Sequence, residues 1–237
     1  MLVGGAPAPR AERLVAPHEP VVVQSPRPRY VGRAGEKLHG AMDHFDLRVE
    51  GHEALDVGAS TGGFTDCLLQ HGARTVLAVD VGRNQLHERI RDDPRVTSRE
   101  RTDIRNLDPP SGPGAEIVTV DVSFILLRSV LPAVLLQARA GADLVLLVKP
   151  QFEADHVVVS RGRGVVRDPE VWTEVLIEVV NTLHGLGAAI MGAMVSPLHG
   201  VDGNVEFLIH ARAPGHDRPD PGGLDARALS AAAAGTS

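Results

Sequence analysis

The stretch Ala54-Leu55-Asp56-Val57-Gly58-Ala59-Ser60-Thr61-Gly62-Gly63-Phe64-Thr65-Asp66 decides the fold. Its first four residues form a short apolar run that reads as a buried strand, and Phe64, Leu68 and Leu69 fall on one face of a helix that follows. Strand, glycine turn and helix in that order make the first unit of a Rossmann-type sheet. Gly58, Gly62 and Gly63 are expected to let the backbone bend sharply and approach a ligand where a Cβ would block it. The N–H groups of the helix start then lie beyond the strand's carboxyl end, where open α/β sheets bind their ligands.

The dinucleotide fingerprint G-x-G-x-x-G is not met, because the glycines fall at 58, 62 and 63. Instead an acid, Asp56, stands at the strand end, and a second strand, Thr75-Val76-Leu77-Ala78-Val79, closes on Asp80, placed to accept hydrogen bonds from ribose hydroxyls. This layout resembles that of class I methyltransferases, and the resemblance implies S-adenosylmethionine as cofactor. The alternative at this point is a nucleotide-fold turn without a ligand.

The chain has 237 residues, enough for one sizeable core, with 43% hydrophobic and 23% charged residues, ordinary for a soluble globular protein. No apolar run approaches the roughly 20 residues that cross a bilayer, and the start lacks the basic-then-apolar pattern of a signal peptide. A single cysteine, Cys67, excludes an intrachain disulfide and reads as a packed, inert thiol; a cytoplasmic setting is expected. The histidines are scattered without zinc-ligand spacing, so no metal is expected. A net charge of −6 sits awkwardly with a nucleic-acid partner, although Arg27, Arg29, Arg33 and Lys37 gather near the start. Of 24 basic residues only two are lysines, Lys37 and Lys149. They are chance survivors, or they stand where a compact, titratable ammonium is needed.

Further along, a helical period covers Arg33 to Leu47, a polar helix is expected over Asn84 to Arg91, and a short strand at Arg95-Val96-Thr97. Glu116 to Asp121 reads as the fourth strand, Leu126 to Ala138 as a helix with Pro132 in its first turn or at a kink, and Leu144 to Val148 as a buried strand ending at Lys149. Asp168 and Pro169 open a helix that runs to about Leu183 with Trp172 on its core face, and strands near 188–195 and 205–210 complete the sheet. The predicted fold class is α/β: a Rossmann-like, seven-stranded, mostly parallel sheet with helices on both faces. His184, His199 and His210 read as surface or satisfied residues.

Parallel strands gather Asp56, Asp121 and Lys149 on one edge. Methyl transfer needs a nucleophile aligned opposite the departing sulfur, and positioning supplies most of the gain. If the nucleophile is a hydroxyl, its proton is the difficulty; a lysine in a dry site beside a second cation can accept it or polarise the oxygen. Lys149 fits that role with Lys37 as its neighbour, Asp121 orienting the ammonium and Glu206 holding Lys37 or a substrate sugar.

Five ordered motifs sharpen the reading: Tyr30-Val31-Gly32-Arg33-Ala34-Gly35-Glu36-Lys37-Leu38, the 56–66 turn, Asp121-Val122-Ser123-Phe124, Val148-Lys149-Pro150-Gln151-Phe152-Glu153 and Gly203-Asn204-Val205-Glu206-Phe207. From about Tyr30 to Arg212 the chain resembles the TlyA family, ribosomal RNA 2′-O-methyltransferases related to the FtsJ fold and historically called haemolysins. The resemblance implies a catalytic Lys-Asp-Lys-Glu tetrad at Lys37, Asp121, Lys149 and Glu206. It also implies cofactor contacts from Asp56, Gly58, Ser60, Thr61, Gly62, Gly63, Phe64, Asp80, Val81, Asp103, Ile104 and Asp121. Arg33 is taken as a substrate contact, and so are Arg161 and Arg163 in the basic loop Arg161-Gly162-Arg163-Gly164, for which an ordinary solvated loop is the alternative of at least equal weight. The resemblance divides the chain into a remnant of an S4-type RNA-binding domain with its linker (1–28), the methyltransferase domain (29–212) and a disordered tail (213–237). The expected partner is ribosomal RNA or a ribosomal subunit. The short first segment and the acidic balance favour, as the alternative, the same core acting on a small-molecule nucleophile. A non-catalytic cofactor-binding module and a pore-forming protein fit less well, the latter for want of a membrane segment.

Overall fold

The computed structural model describes residues 2–8, 14–22, 28–215 and 224–235, the side chains of His156, Val158 and Arg161 excepted. A small antiparallel sheet near the start pairs β1 (Leu2–Val3) with both β2 (Ala6–Pro7) and β3 (Val21–Val22). The main sheet holds β4 (Glu53–Val57), β5 (Thr75–Val79), β6 (Val96–Arg99), β7 (Ala115–Val120), β8 (Ala138–Val148), β9 (Ala189–Val195) and β10 (Phe207–Arg212) in the order β6-β5-β4-β7-β8-β10-β9. The first five of that order are mutually parallel, and β10 runs antiparallel to both neighbours. The predicted seven-stranded sheet is therefore present, with β4 at the point where strand order reverses.

Strand alternation explains why the central strands read as unbroken apolar runs. Leu55, Val57, Val118, Val120, Leu144, Leu146 and Val148 join one buried cluster with Trp172 and Phe207, while Ala54, Ile117, Val145 and Leu147 join the other with Leu38, Met42 and Leu68. Both faces are covered, so neither face of these strands can be polar without a partner. The second cluster is closed by α1 (Ala34–Phe45) and α2 (Gly63–Gln70), the first by α4 (Leu127–Gln137) and α7 (Pro169–Gly185). Asp168 caps α7 by accepting the Glu170 N–H at 3.0 Å, with Pro169 at the first helical position, and the Trp172 indole donates to the Val166 carbonyl at 3.1 Å. Cys67 is sealed in the core, and burial pushes its thiol up to about 12.

Several expectations are corrected. The polar helix over 84–91 shrinks to α3 (Glu88–Arg91), because Asn84 adopts a left-handed φ of 52° and Glu100 draws the N–H groups of Asn84 and Gln85 to itself. Pro132 lies inside α4, beyond its first turn. The chain after Lys149 forms the short helices α5 (Pro150–Glu153) and α6 (His156–Arg161), so Arg161 ends a helix and only Gly162-Arg163-Gly164 make the turn. The expected disordered tail contains α8 (Ala226–Ala234), capped by Asp225, whose Ala226 and Ala233 are buried in the core cluster beside α7. An alanine-rich composition is compatible with a packed helix, since Ala has the highest helix propensity; residues 216–223 and 236–237 lie outside the described residues.

Candidate active site

At the carboxyl edge of the parallel strands lie two adjoining cavities. The first, about 310 Å³, runs from the end of β4 to the end of β7 and is walled by Val57, Gly58, Val79, Asp80, Val81, Thr102, Asp103, Ile104 and the loop from Asp121 to Ile125. The second, about 360 Å³, lies between α1, the ends of β7 and β8, and the loop before β10. Gly58, Ser60, Asp121, Ser123 and Phe124 belong to both. The shared wall is where a donor in one cavity meets an acceptor in the other.

The second cavity unites four residues that are far apart in the chain: Lys37, Asp121, Lys149 and Glu206. The Lys149 ammonium lies 2.5 Å from Asp121 Oδ1 and donates to Ser123 Oγ at 2.8 Å. Lys37 Nζ lies 2.5 Å from Glu206 Oε2. Topology accounts for the first pair, because Asp121 and Lys149 follow directly on the neighbouring parallel strands β7 and β8. The second needs α1 to lie across the sheet, as its apolar face (Leu38, Ala41, Met42) dictates. Glu206 stands just before β10, one residue outside the strand in which it was expected. Charges this deeply placed are sustained only by partners, and both ammonium groups have carboxylates.

In the first cavity Asp80 accepts the N–H groups of Ser60 (2.8 Å) and Gly82 (2.6 Å), which fixes the turn after β4 against the end of β5. Asp103 is gripped by Arg105 at 2.6 Å, which holds its carboxyl below the usual range. Both carboxylates keep lone pairs for hydroxyl or amino groups, and Val81, Ile104 and Ile125 supply apolar wall. Thr61, Gly63, Phe64 and Arg33 line the second cavity, the Arg33 guanidinium donating to the His199 carbonyl at 3.3 Å.

Three site assignments change. Asp56 is fully buried and lines neither cavity: alternation turns it to the α2 face of the sheet, where Thr65 (2.6 Å) and Thr119 (3.0 Å) donate to its two oxygens. Burial pushes its carboxyl up to about 7, against those two bonds. It fastens α2 to β4 and β7 beneath the turn and does not face a ligand. Gly62 also lines neither cavity; a Cβ there would stand 2.9 Å from Leu86. Gly58 (φ +84°) keeps its place in both cavities, and a Cβ there would also clash with the Asp121 carbonyl oxygen, so this glycine lets two strand ends approach each other as well. Arg163 is exposed and away from both cavities, and the Arg161 side chain lies outside those described.

Residues that the site reading passed over are Ser123, Phe124 and Phe152. Phe124, left-handed at φ 62°, is 91% exposed at the shared wall and meets Phe152 with ring centroids 5.0 Å apart. The only signal was their place inside motifs already noted. Among the described residues no cluster of His, Cys, Asp and Glu suits a metal, and no helix is long and apolar enough to cross a membrane.

Known proteins resemble this chain over most of its length. The family model for FtsJ-like methyltransferases matches residues 30–213. The chain is 42% identical over 212 residues to the 16S/23S rRNA (cytidine-2′-O)-methyltransferase TlyA of Mycobacterium tuberculosis, covering 89% of this chain and 79% of that protein. It is 40% identical over 184 residues to Hemolysin A of Brachyspira hyodysenteriae, covering 77% of this chain and 76% of the relative. A solved structure of a candidate hemolysin from Lactococcus lactis superposes with a TM-score of 0.80 at 38% identity, over 86% of this chain and 98% of that one.

Proposed function

Because this chain belongs to the FtsJ-like methyltransferase family, whose members take the methyl group from S-adenosylmethionine, we propose that it methylates a ribose 2′-hydroxyl of ribosomal RNA. The relatives named for that reaction support the substrate. The observation that carries the reading is the meeting of Lys37, Asp121, Lys149 and Glu206 in one cavity that shares a wall with the cofactor cavity. A bacterial ribosomal substrate would make the enzyme cytoplasmic.

The first cavity fits the cofactor: its volume lies at the small end of the ligand-site range, Asp80 offers acceptors for ribose hydroxyls, and Asp103 with Ile104 offers an acceptor and an apolar wall for a purine. When bound, S-adenosylmethionine supplies a methyl group on a positively charged sulfur. The chain's residues do the rest. The second cavity would hold the acceptor hydroxyl: the Lys149 ammonium lies against the Asp121 carboxylate and donates one N–H to Ser123, with further N–H groups for the hydroxyl oxygen. On transfer the acceptor hydroxyl would give up its proton, and the chain's own residues would take charge of it. Lys149 in its neutral form accepts it, or as an ammonium stabilises the charge building on the oxygen until water removes it. Lys37 and Glu206 shape the far wall for the sugar. Phe124 and Phe152 offer an exposed aromatic face to an unstacked base at the mouth.

The separate sheet of β1, β2 and β3 is read as the trailing part of an S4-type RNA-binding module. A net charge of −6 favours, as second reading, a small-molecule acceptor for the same site. Incubating the protein with radiolabelled S-adenosylmethionine and either ribosomal subunits or a metabolite extract separates the two. Label in rRNA, recovered as a 2′-O-methylated nucleoside by mass spectrometry, is expected; label confined to the extract overturns the RNA assignment.

A further inference from the structure

Two segments carry the reacting end of the site, the loop from Asp121 to Leu127 and the turn from Lys149 to Glu153. The loop has little backbone bonding of its own: Asp121 N–H reaches Val57 and Ser129 N–H reaches Leu126, with irregular chain between. At the loop's far end α4 begins with Leu126 at its cap, an apolar residue that cannot accept the helix's first N–H groups. Glu153 supplies what is missing. Its side chain is 2% exposed, Oε1 accepts the Leu127 N–H, and Oε2 accepts Arg128 Nε at 3.2 Å. Arg128 continues to Glu178 of α7 at 2.5 Å. The negative charge thus sits on the positive end of a helix and beside a guanidinium, which sustains it against a burial that pushes its carboxyl upward. The two segments are therefore tied three times: Lys149 to Asp121 and Ser123 at the near end, Phe152 against Phe124 in the middle, and Glu153 to Leu127 and Arg128 at the far end.

We infer that Glu153 is a positioning residue for methyl transfer: it fixes the Asp121–Leu127 loop to the Lys149 turn, so that the ammonium and the shared wall keep their register. The inference rests on the proposed function of the site. Glu153 touches neither cavity and acts through the two segments it joins. A displacement of about 1 Å at the reacting atoms is enough to cost roughly a hundredfold.

The test compares Glu153→Ala and Glu153→Gln with the unaltered protein. In Glu153→Ala, kcat is expected to fall about 30- to 100-fold, with affinity for S-adenosylmethionine by calorimetry changed much less. Glu153→Gln keeps an oxygen for the Leu127 N–H and is expected to recover kcat to within about fivefold of the unaltered protein. Hydrogen exchange read on residues 122–127 adds a measure that needs no substrate: exchange accelerates in the alanine variant and returns toward normal in the glutamine variant. Unchanged exchange and kcat in a folded Glu153→Ala protein overturn the inference, as does a glutamine variant as impaired as the alanine one. A protein that labels no RNA overturns the proposed function, and the exchange measurement still decides whether Glu153 holds the loop.

Discussion

The two ion pairs of the catalytic cavity have the same 2.5 Å separation and unlike surroundings. Lys149 and Asp121 end adjacent parallel strands, and their side chains keep 11% and 16% of their surface, enough to face a substrate. Lys37 and Glu206 come from a helix and from the residue before an antiparallel strand. Lys37 keeps 10%, much like Lys149, and the pairs differ in their carboxylates: Glu206 is 3% exposed, so close beneath Gly200 that a Cβ there would stand 2.7 Å from its Oε1. The difference separates two roles. The more tightly a carboxylate is sealed, the more its loss of a partner costs, up to about 3–5 kcal/mol for an uncompensated buried charge. The open pair is suited to chemistry and the sealed pair to holding the wall against which the chemistry occurs.

The most severe break of that comparison is Lys149→Ala. Methyl transfer in single turnover is expected to drop by about a thousandfold or more, while the affinity for S-adenosylmethionine stays within about threefold and the unfolding midpoint falls less than in Lys37→Met, because Asp121 is the less sealed carboxylate. A parallel collapse of cofactor binding would remove Lys149 from the acceptor side of the site.

Lys37→Met is expected to act on stability first, lowering the unfolding free energy in urea by about 3 kcal/mol because Glu206 is left buried without its cation. The double variant Lys37→Met, Glu206→Gln should regain most of that loss, since a neutral amide replaces the charge, yet remain slow in transfer. Recovery of transfer in the double variant would make the pair purely structural. Failure to regain stability would mean that Glu206 is not the group Lys37 compensates.

The open pair was legible in the sequence and the sealed surroundings were not. Strand ends can be counted from apolar runs, so Asp80, Asp121 and Lys149 fall on one edge by topology alone, and a chain nearly without lysine draws attention to Lys37. Which way a residue faces on such a strand is another matter. Asp56 lies between Leu55 and Val57, which turn to the opposite cluster, but the hydroxyls that hold it lie 9 and 63 residues away and have no sequence signal. Gly58 lines both cavities as its position suggests, but the approach of the Asp121 carbonyl, which a Cβ would also block, has no sequence signal. The helix at 226–234 did have a local signal in Asp225, which accepts the Ala228 N–H, but its alanine and glycine surroundings concealed it.

Asp56 sharpens the comparison from a third side, as a carboxyl group held by hydroxyls. Its folded value of about 7 stands above the ordinary 3.8, so the folded chain binds this proton more tightly than the unfolded chain. The sign follows: its contribution is fully present below about pH 4, is lost as pH rises toward 7, and is constant beyond. Asp56→Asn, which keeps the shape and takes no charge, is expected to flatten that slope. Near pH 4 the variant and the unaltered protein should unfold at similar temperatures. At pH 8 the variant should be more stable by on the order of 2 kcal/mol, a rise of about 5 °C in Tm for a chain of this size. Thermal unfolding across pH 4–8 measures the difference. A constant offset at every pH would show that Asp56 does not titrate within the folded core, and a fall in Tm at pH 8 would show that Thr65 and Thr119 hold an ionised carboxylate better than they hold an amide.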